Sequence, residues 1–376
     1  MNLDFLSLLS IEQQIIISCF VLFFIIQAVY YCAVFIRVAF YRAKSTNLSD
    51  LSQEGISVVI CAHNESEKLE KLLPKILKQG HPAFEVIVVN HRSTDDSADV
   101  LNLLKLTYDN LIIRTIELDE IFTHNNAMAW GIGIKAAQYE WIVLTDINCY
   151  PENENWLMAL RQNFGKKIDI VLSYTRIQRH KLVRADNFFD ALSYLSKACA
   201  GKPYAGSGSN IAFRKDLFFN NRGFHPQLKL HDKADRIFAN TVCKKANTSV
   251  DLGFESVNRS SLRLSFKEWM RKRRDELRSQ RLFRPGTKNV GYFELVSRAF
   301  YYALFIVALI CSLDVQWAWI TVLSVFAARL IMQIIIFIKA QKQLKEKGLL
   351  FTSLYWDIVS LFLYLPIIIL SKRERR

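Results

Sequence analysis

Four long apolar segments constrain the fold of this chain more than any other feature of its sequence. They lie at residues 15–36, 299–313, 317–338 and 349–370, and a long, more polar stretch separates the first from the others. An α-helix rises about 1.5 Å per residue, so about 20 apolar residues cross a hydrocarbon core of about 30 Å. The sequence therefore predicts an integral membrane protein with α-helical transmembrane segments at both ends.

The charges around the first segment predict its orientation. Asp4 and Glu12 lie at its amino side, whereas Arg37, Arg42 and Lys44 follow it. Basic residues favour the cytoplasmic side of a bilayer, and a cleaved signal peptide would begin with them. We therefore expect a retained anchor whose amino end lies outside, with the chain after Arg37 in the cytoplasm.

The last two segments contain charged residues. Arg329 lies in the middle of the third segment, and Asp357 lies inside the fourth. Unpaired charges in hydrocarbon are costly, so we predict that these two side chains pair. A single crossing by the fourth segment would place Lys372 and its basic neighbours outside, against the charge bias. Pro366 could instead break this segment into a re-entrant or interfacial pair, and both alternatives stay open.

Between the apolar ends, short runs rich in β-branched residues alternate with helical patterns. This alternation is typical of βαβ units, which build a parallel sheet covered by helices on both faces. Strands are predicted at residues 56–61, 84–90, 111–118 and 141–146, and helices at 67–79, 95–106 and 125–138. Ser93 or Thr94 is positioned to cap the second of these helices.

A carboxylate and an amide follow the fourth predicted strand. Asp146 ends this strand, and Asn148 comes two residues later. Ligands bind beyond the carboxyl ends of the strands in open α/β sheets. Carboxylate and amide oxygens both bind Mg²⁺, although the uncharged amide binds more weakly. The sequence therefore predicts a divalent-metal and diphosphate site here.

The pattern after residue 153 is less regular. Helices are predicted at residues 156–164 and 231–245 and a strand at 168–174, and residues 184–200 have an amphipathic pattern. Gly201, Gly206 and Gly208 lie in a loop before the last of these helices. Because glycine lets the backbone approach a ligand closely, this loop is a candidate binding element; a flexible surface turn is the alternative.

A basic segment at residues 259–288 precedes the C-terminal apolar segments, with Leu264, Trp269, Leu277 and Leu282 interleaved. Such a pattern suits an anionic membrane surface, and some of its basic groups could neutralise phosphates in a cleft. The net charge of +14 is also compatible with nucleic acid, but the adjacent apolar segments favour lipid. The seven cysteines are scattered and indicate a reducing compartment.

The order of these motifs resembles that of membrane-bound family 2 glycosyltransferases with the GT-A fold. Residues 58–65 resemble the strand and turn that hold the donor's uracil, and residues 92–97 resemble the segment after the second strand. Residues 201–204 and 206–215 resemble the acceptor-side loop and strand. Each match is weak alone, and together they are specific.

The resemblance implies an α/β GT-A domain, Rossmann-like with a mostly parallel sheet, at residues 45–258 in the cytoplasm. An N-terminal transmembrane anchor (1–44) would precede it, and a basic interfacial helix (259–290) and C-terminal transmembrane segments (291–376) would follow. The implied activity moves a sugar from a nucleotide-diphosphate donor to a lipid-linked or glycan acceptor, with inversion. Membrane lipids are the other expected partner, nucleic acid is not, and the implied location is the bacterial inner membrane, in cell-envelope synthesis.

The resemblance also implies site residues. Asp235 or Asp232 would act as general base on the acceptor. Asp146 and Asn148 would hold Mg²⁺ or Mn²⁺. The implied nucleotide-binding residues are Ala62, Asn64, Glu65, His91 and Asp146. The residues implied for the diphosphate or acceptor are Lys272, Arg273, Arg274, Gly206, Ser207, Gly208 and Ser209.

Five motifs depart from the family's pattern, at six positions in all. His91 and Asn148 stand where the family has acids, and Asn125 stands where it has a lysine. Ala234 and Arg236 stand in place of two carboxylates, and Lys272 stands in place of a glutamine. One hypothesis is an active enzyme whose metal is weakly bound or dispensable, with the basic groups at 272–274 stabilising the leaving charge. The alternative is a catalytically impaired relative that binds nucleotide sugar, lipid-linked glycan or a partner enzyme. A transporter-like membrane protein has weaker support.

Overall fold

A computed structural model of the chain describes residues 9–43, 54–117, 126–178, 180–224, 234–287 and 289–373. Asp232, one of the two predicted general bases, and Asn125 lie outside the described residues. The described part contains a mixed α/β domain and long apolar helices on both sides of it in sequence.

The strands of the described residues form two sheets, one of seven strands and one of three. The strands are β1 (Ile56–Ala62), β2 (Phe84–His91), β3 (Leu111–Ile116), β4 (Trp141–Asp146), β5 (Cys149–Pro151), β6 (Ile170–Leu172), β7 (Thr175–Ile177), β8 (Ile211–Arg214), β9 (Thr248–Val250) and β10 (Asn258–Ser260). The large sheet has the order β3-β2-β1-β4-β8-β6-β9, and the small one β5-β10-β7. In the large sheet β8 runs antiparallel to both of its neighbours, and the other pairs are parallel. The predicted mostly parallel sheet is confirmed.

Helices cover both faces of the large sheet, as a parallel sheet requires. Side chains of β1 alternate between two hydrophobic clusters, with Val58 and Ile60 in one and Val59 in the other. The described helices of the domain are α3 (Ser66–Leu77), α4 (Ser97–Thr107), α5 (Asn126–Ala136), α6 (Trp156–Arg161), α7 (Lys181–Cys199), α8 (Lys215–Asn220) and α9 (Ala234–Val242). Helices α3, α4 and α6 pack in the Val58 cluster, and α5, α7 and α9 in the Val59 cluster.

Some predicted boundaries were wrong. The predicted strand at 168–174 is short and is followed by the separate strand β7. Helix α4 begins at Ser97, and neither Ser93 nor Thr94 caps it. Instead Ser93 Oγ accepts from the Asn64 amide at 3.0 Å, and the Thr94 amide donates to Asn64 Oδ1 at 2.8 Å. These bonds join the turn after β1 to the turn after β2.

Among the residues that the structure describes, four helices are long and apolar enough to cross a membrane. Helix α1 (Ile11–Val29) continues through a π-helical segment (Tyr30–Phe35) into α2 (Ile36–Ala39). The others that qualify lie after a basic helix, α10 (Phe266–Ser279), and are α11 (Val290–Cys311), α12 (Gln316–Gln343) and α13 (Leu350–Arg373). Helix α13 continues through Pro366, so this proline does not break it.

Buried charges connect these apolar helices. Asp357 of α13 lies 3.0 Å from Arg329 of α12 and 2.6 Å from Arg298 of α11. Tyr302 donates to the same carboxylate at 2.6 Å, and Arg329 donates to Gln27 of α1 at 3.3 Å. The predicted pairing of Arg329 with Asp357 is confirmed, and Arg298 is a second cation that the sequence analysis did not assign to it.

The segment between α12 and α13 is bonded to the α/β domain. Arg176 donates to the Lys345 carbonyl oxygen at 2.7 Å. Glu346 accepts from Tyr174 Oη at 2.9 Å and from Arg184 Nη2 at 2.7 Å. These bonds fix the position of the domain relative to the apolar helices.

Candidate active site

A cavity of about 410 Å³ opens beside the carboxyl end of β4. Its walls come from β4, α7, α9, α10 and the loop before β8. The predicted site residues that line it are Asp146, Asn148, Ser207, Gly208, Ser209, Asp235, Lys272 and Arg273. The structure therefore brings residues from four separate stretches of sequence to one cleft.

Asp146 and Asn148 are held together by a tight turn after β4. The backbone amide and the side-chain Nδ2 of Asn148 both donate to Asp146 Oδ1 at 2.7 Å. The Ser261 amide donates to the Asn148 carbonyl at 2.8 Å and fixes the turn from the other side. Asn148 Oδ1 is buried and accepts no hydrogen bond from the described residues.

This donor pair fits a divalent cation, though weakly. A carboxylate and an amide oxygen are the oxygen ligands that Mg²⁺ takes, and its remaining positions are usually filled by water and phosphate oxygens. The orphaned Asn148 oxygen is an acceptor that a cation would satisfy. Among the described residues there is no group of three or more His, Cys, Asp or Glu side chains that could hold a metal.

Asp235 lies in the first turn of α9 and is held by the loop before β8. The Gly208 amide donates to Asp235 Oδ2 at 2.6 Å. A Cβ at position 208 would lie 2.7 Å from Asp235 Cβ, so only glycine leaves room for this approach. Ser209 anchors the loop, since its carbonyl accepts from Thr145 at 3.0 Å and from Thr175 at 3.2 Å.

Gly206 packs against the core in the same loop. A Cβ there would lie 2.9 Å from Leu172 and 3.1 Å from Ala239. Gly206 and Gly208 are both buried. The loop is therefore a packed wall of the cavity, and the alternative of a flexible surface turn was wrong.

The two arginines near the cavity floor, Arg236 and Arg273, are bound by carboxylates. Arg236 donates to both oxygens of Asp190, at 2.7 and 3.0 Å. Arg273 lies 3.0 Å from Asp190, 3.3 Å from Asp186 and 2.7 Å from Glu276. We call these five residues the ion cluster. Arg273 thus supplies its charge to buried carboxylates on α7 as well as to the cavity.

Burial and the arginines affect the carboxylates of the ion cluster differently. Burial raises the pKa of Asp186 to about 6, although the Arg273 guanidinium works in the opposite direction. Burial also opposes ionisation of Asp190, but Arg236 and Arg273 outweigh it and lower the pKa of that carboxyl. Asp190 therefore stays charged, whereas Asp186 is protonated more readily than an exposed aspartate.

The ion cluster was missed by the sequence analysis. Asp186 and Asp190 are one helical turn apart on α7, in a segment for which only an amphipathic pattern was recognised. Their partners lie more than 40 residues away, at Arg236 on α9 and Arg273 on α10. The aspartate pair spaced by four residues was a usable signal, but its partners were not visible in the sequence.

The other two basic residues of the predicted diphosphate group differ from Arg273. Lys272 is exposed and lines the cavity. Arg274 is exposed, lies 3.8 Å from Asp275, and is absent from the cavity lining in the described part of the chain. Successive helical residues point in different directions, so these three neighbours cannot share one role.

The predicted nucleotide-binding residues at the ends of β1 and β2 form a separate group. Ala62 pairs with Asn90 in the sheet register, and His63 Nδ1 lies 2.7 Å from the His91 carbonyl oxygen. Asn64 has a φ of 53°, a left-handed conformation that asparagine tolerates better than most residues. Glu65 precedes α3, and its amide donates to Ser97 Oγ at 3.1 Å. In the described residues this group does not line the 410 Å³ cavity.

Residues 57–219 match the model of the family described as glycosyl transferase family 2. This stretch contains β1 to β8, the Asp146–Asn148 turn and the Gly208 loop. The chain contains a family 2 glycosyltransferase domain. The resemblance inferred from its motifs is thereby confirmed.

Two curated relatives of this glycosyltransferase domain are staphylococcal synthases of the same name. The poly-beta-1,6-N-acetyl-D-glucosamine synthase of Staphylococcus epidermidis is 30% identical over 134 residues, which cover 34% of this chain and 31% of the relative. The synthase of Staphylococcus aureus strain COL is 29% identical over 111 residues, covering 30% and 25% of the two chains. The chain therefore spans less than a third of the length of these relatives.

A solved structure supports the GT-A fold. The mannosyltransferase PcManGT from Pyrobaculum calidifontis, in complex with GDP-Man and Mn²⁺, superposes with a TM-score of 0.58. The match covers 92% of this chain and 98% of that one, at 16% sequence identity. The glycosyltransferase domain and its apolar helices thus have the predicted fold: a GT-A α/β domain with apolar helices at both ends.

Proposed function

We propose that this chain is a membrane-bound glycosyltransferase that moves a sugar from a nucleotide-diphosphate donor to a lipid-linked or glycan acceptor, with inversion. The observation that carries this proposal is the meeting of Asp146, Asn148, Asp235 and Lys272 around one cavity. The cavity lies at the carboxyl end of a central strand, where α/β domains bind their ligands.

The residues of the cavity suit a single displacement. Asp235, oriented by the Gly208 amide, accepts the proton of the acceptor hydroxyl. The acceptor oxygen then attacks the anomeric carbon as the bond to the diphosphate breaks, which inverts that centre. Lys272 supplies a positive charge toward the departing diphosphate, where charge develops.

Asp146 and Asn148 are the residues that would hold Mg²⁺ or Mn²⁺, and a bound ion would supply further charge neutralisation for the diphosphate. With one carboxylate and one amide, we expect weak binding, so that Lys272 carries a larger share of that neutralisation. Ala62, Asn64, Glu65 and His91 are proposed to hold the nucleotide at the ends of β1 and β2.

The comparisons suggest which donors to test first. The names of the staphylococcal relatives point to N-acetylglucosamine, and hence to its UDP-linked donor. PcManGT was solved with GDP-Man, which makes a GDP-linked sugar the second choice. Both donors present a diphosphate to the same cavity.

We further propose that the domain, with boundaries near 45 and 258, lies on the cytoplasmic side of a bacterial inner membrane, in cell-envelope synthesis. Basic residues follow α1, and α10 has exposed Lys267, Arg271 and Arg274 that suit anionic lipid headgroups. Lipid is therefore the proposed partner of α10, and nucleic acid is not.

A catalytically impaired relative is the second candidate. The observation that favours it is Arg236, which binds Asp190 with two hydrogen bonds where the family's pattern has a carboxylate. In that case the cavity would bind nucleotide sugar, lipid-linked glycan or a partner enzyme without turnover.

Purified protein assayed with UDP-N-acetylglucosamine, GDP-mannose and other nucleotide sugars, with and without Mn²⁺, separates these candidates. We expect nucleotide release that Asp146→Ala and Asp235→Ala each reduce at least a hundredfold, while Asp99→Ala on the exposed face of α4 leaves it unchanged. Binding of UDP or GDP by calorimetry without turnover of any donor would favour the impaired relative. Absence of both binding and turnover would refute the active enzyme and an impaired relative that binds nucleotide sugar.

A further inference from the structure

We propose that α13 does not cross the bilayer: it lies in the lipid interface on the side of the glycosyltransferase domain, and lipid covers its outer face. The first observation is a single apolar stripe along the whole helix. Phe351 and Phe362 are 84% and 75% exposed, and Tyr355, Ile358 and Ile369 are exposed on the same stripe. These positions recur at three, four or seven residues, which places them on one helix face.

The opposite face of α13 is packed against the glycosyltransferase domain. Trp356, Leu361, Tyr364 and Ile368 are buried in the same hydrophobic cluster as Phe188 of α7. The ring of Trp356 meets that of Phe266, at the start of α10, edge to face. Over an apolar stretch of 18 residues in each helix, 39% is buried in α13, against 22% to 28% in the other three apolar helices.

The contacts of Tyr364 exclude a crossing along the membrane normal. Tyr364 donates to Asp186 of α7, one turn from the cavity-lining Asp190, and Arg273 of α10 donates to its hydroxyl at 3.4 Å. Tyr364 lies about 21 Å along the helix from Leu350, given a rise of about 1.5 Å per residue. A helix perpendicular to the bilayer would carry Tyr364 about two thirds of the way through a hydrocarbon core of about 30 Å. The glycosyltransferase domain, whose Asp186 contacts Tyr364, cannot enter the hydrocarbon core to that depth.

The start of α13 is bound to the same domain. Glu346, just before the helix, bonds to Arg184 of α7, two residues from Asp186. Both ends of the stretch from Glu346 to Tyr364 therefore contact one region of α7, so the helix runs along the domain. A third side of α13 contacts the spanning helices α11 and α12, because Asp357 forms ion pairs with Arg298 and Arg329.

Lipid is the occupant that fits the exposed stripe. Helix α13 is joined through Asp357 to α11 and α12, and these apolar helices also expose large hydrophobic side chains, at Phe300, Ile310, Ile331 and Ile335. An interfacial helix buries its apolar face about 5–10 Å into the boundary between headgroups and acyl chains. This placement also keeps Lys372 and Arg373 on the side of the basic stretch at residues 339–347, which joins the end of α12 to α13, as the charge bias of membrane proteins requires.

Spin-label depth measurements test the orientation directly. Labels at Phe351→Cys and Ile369→Cys on α13 are compared with labels at Ile320→Cys and Ile338→Cys on α12, in reconstituted chain whose seven native cysteines are replaced by alanine. Each pair is separated by about 27 Å along its helix. We expect the α13 labels to lie at one shallow depth and the α12 labels near opposite surfaces.

Depths at opposite surfaces for the α13 labels would overturn the proposal. So would spin–spin broadening between chains at Phe362→Cys without contact with lipid-soluble oxygen, because a second copy would then cover the stripe.

A second measurement needs no cysteine replacement. A peptide tag after Arg376 and, separately, a tag at Asp314 in the turn between α11 and α12 are probed with protease in sealed vesicles. We expect the tag after Arg376 to be cut from the same side as the glycosyltransferase domain and the tag at Asp314 from the other side. Cleavage of both tags from one side, opposite the domain, would show that α13 crosses.

Discussion

The Gly208 amide donates to Asp235 Oδ2 at 2.6 Å, and no side chain fits at position 208 without displacing that carboxylate. The proposed general base is therefore positioned by a neighbouring backbone group, and its orientation depends on the absence of a Cβ.

Gly208→Ala should lower turnover about a hundredfold while leaving nucleotide affinity within about twofold, since a displacement of about 1 Å at a reacting group costs about that much. Steady-state kinetics and UDP calorimetry on the same preparation measure both quantities. Gly131→Ala is the control, because a Cβ there meets no atom within 4 Å. Unchanged turnover in Gly208→Ala would argue against Asp235 as the base.

Asn148→Asp should make the enzyme bind its metal more tightly. A second carboxylate adds charge to a site that has one, so half-maximal activity should need at least a fivefold lower Mn²⁺ concentration. A metal titration measures this, with Asn102→Asp on the exposed face of α4 as control. An identical titration curve for Asn148→Asp and wild type would exclude Asn148 as a ligand.

Lys272→Gln should weaken UDP binding about tenfold, because the diphosphate loses a facing positive charge worth about 1.4 kcal/mol. Lys267→Gln is the matched control: it removes the same charge from α10, at a position that does not line the cavity. Calorimetry with UDP compares the two variants. Equal losses in both would mean that the net charge of α10, and not contact with the diphosphate, determines affinity.

Asp357→Leu should destabilise the chain more than Arg329→Leu. Removing Asp357 leaves the buried Arg329 without a carboxylate partner among the described residues and leaves Arg298 with Glu294 alone, whereas removing Arg329 leaves Asp357 paired with Arg298. Breaking a buried pair in this way costs about 3–5 kcal/mol. Thermal unfolding in detergent shows which of the two variants is less stable, with Asp314→Leu in the exposed turn as control. A larger loss in Arg329→Leu would contradict the arrangement described for these helices.

The raised pKa of Asp186 predicts a pH dependence. Because burial raises this pKa to about 6, the folded protein holds the proton more tightly than the unfolded chain does. The contribution of Asp186 to stability therefore falls as pH rises from about 4, its unfolded value, to about 6.

Asp186→Asn should remove this dependence. The difference in unfolding free energy between wild type and variant should become less favourable to wild type between pH 4 and 6, and level off above. Thermal unfolding across this range measures it, with Asp99→Asn on α4 as control. A difference that does not change with pH would show that the pKa of Asp186 is the same in the folded and the unfolded chain.

The sheet and the apolar helices could be predicted from sequence because their signals are local. A β-branched run such as β4, or an apolar run such as α12, carries its periodicity within its own residues. Helix ends were harder to predict, because a side chain that could cap a helix can instead form a hydrogen bond with another part of the chain. Ser93 and Thr94 looked like caps of α4, yet they bond Asn64, about 30 residues earlier.

Residues of the candidate site could be predicted from the sequence only where a motif contains a single residue able to perform the expected chemistry. Asp146 and Asp235 were predicted as site residues, and both line the cavity. The positions of Lys272, Arg273 and Arg274 could not be told apart without knowing which side of α10 each one occupies. Arg273 points into the protein because it forms ion pairs with Asp186 and Asp190 on α7. These ion pairs connect parts of the chain that are more than 80 residues apart. The sequence alone does not show which residues so far apart in the chain are neighbours in the fold.

The bonds from Lys345 and Glu346 to Arg176, Tyr174 and Arg184 have a consequence for the acceptor. They fasten the domain to the apolar helices at a second point besides the chain connections, so under the proposed function the cavity lies at one height above the bilayer. A lipid-linked acceptor would have to carry its hydroxyl to that height, and the length of the spacer between its lipid and its hydroxyl would determine whether the proposed enzyme can modify it.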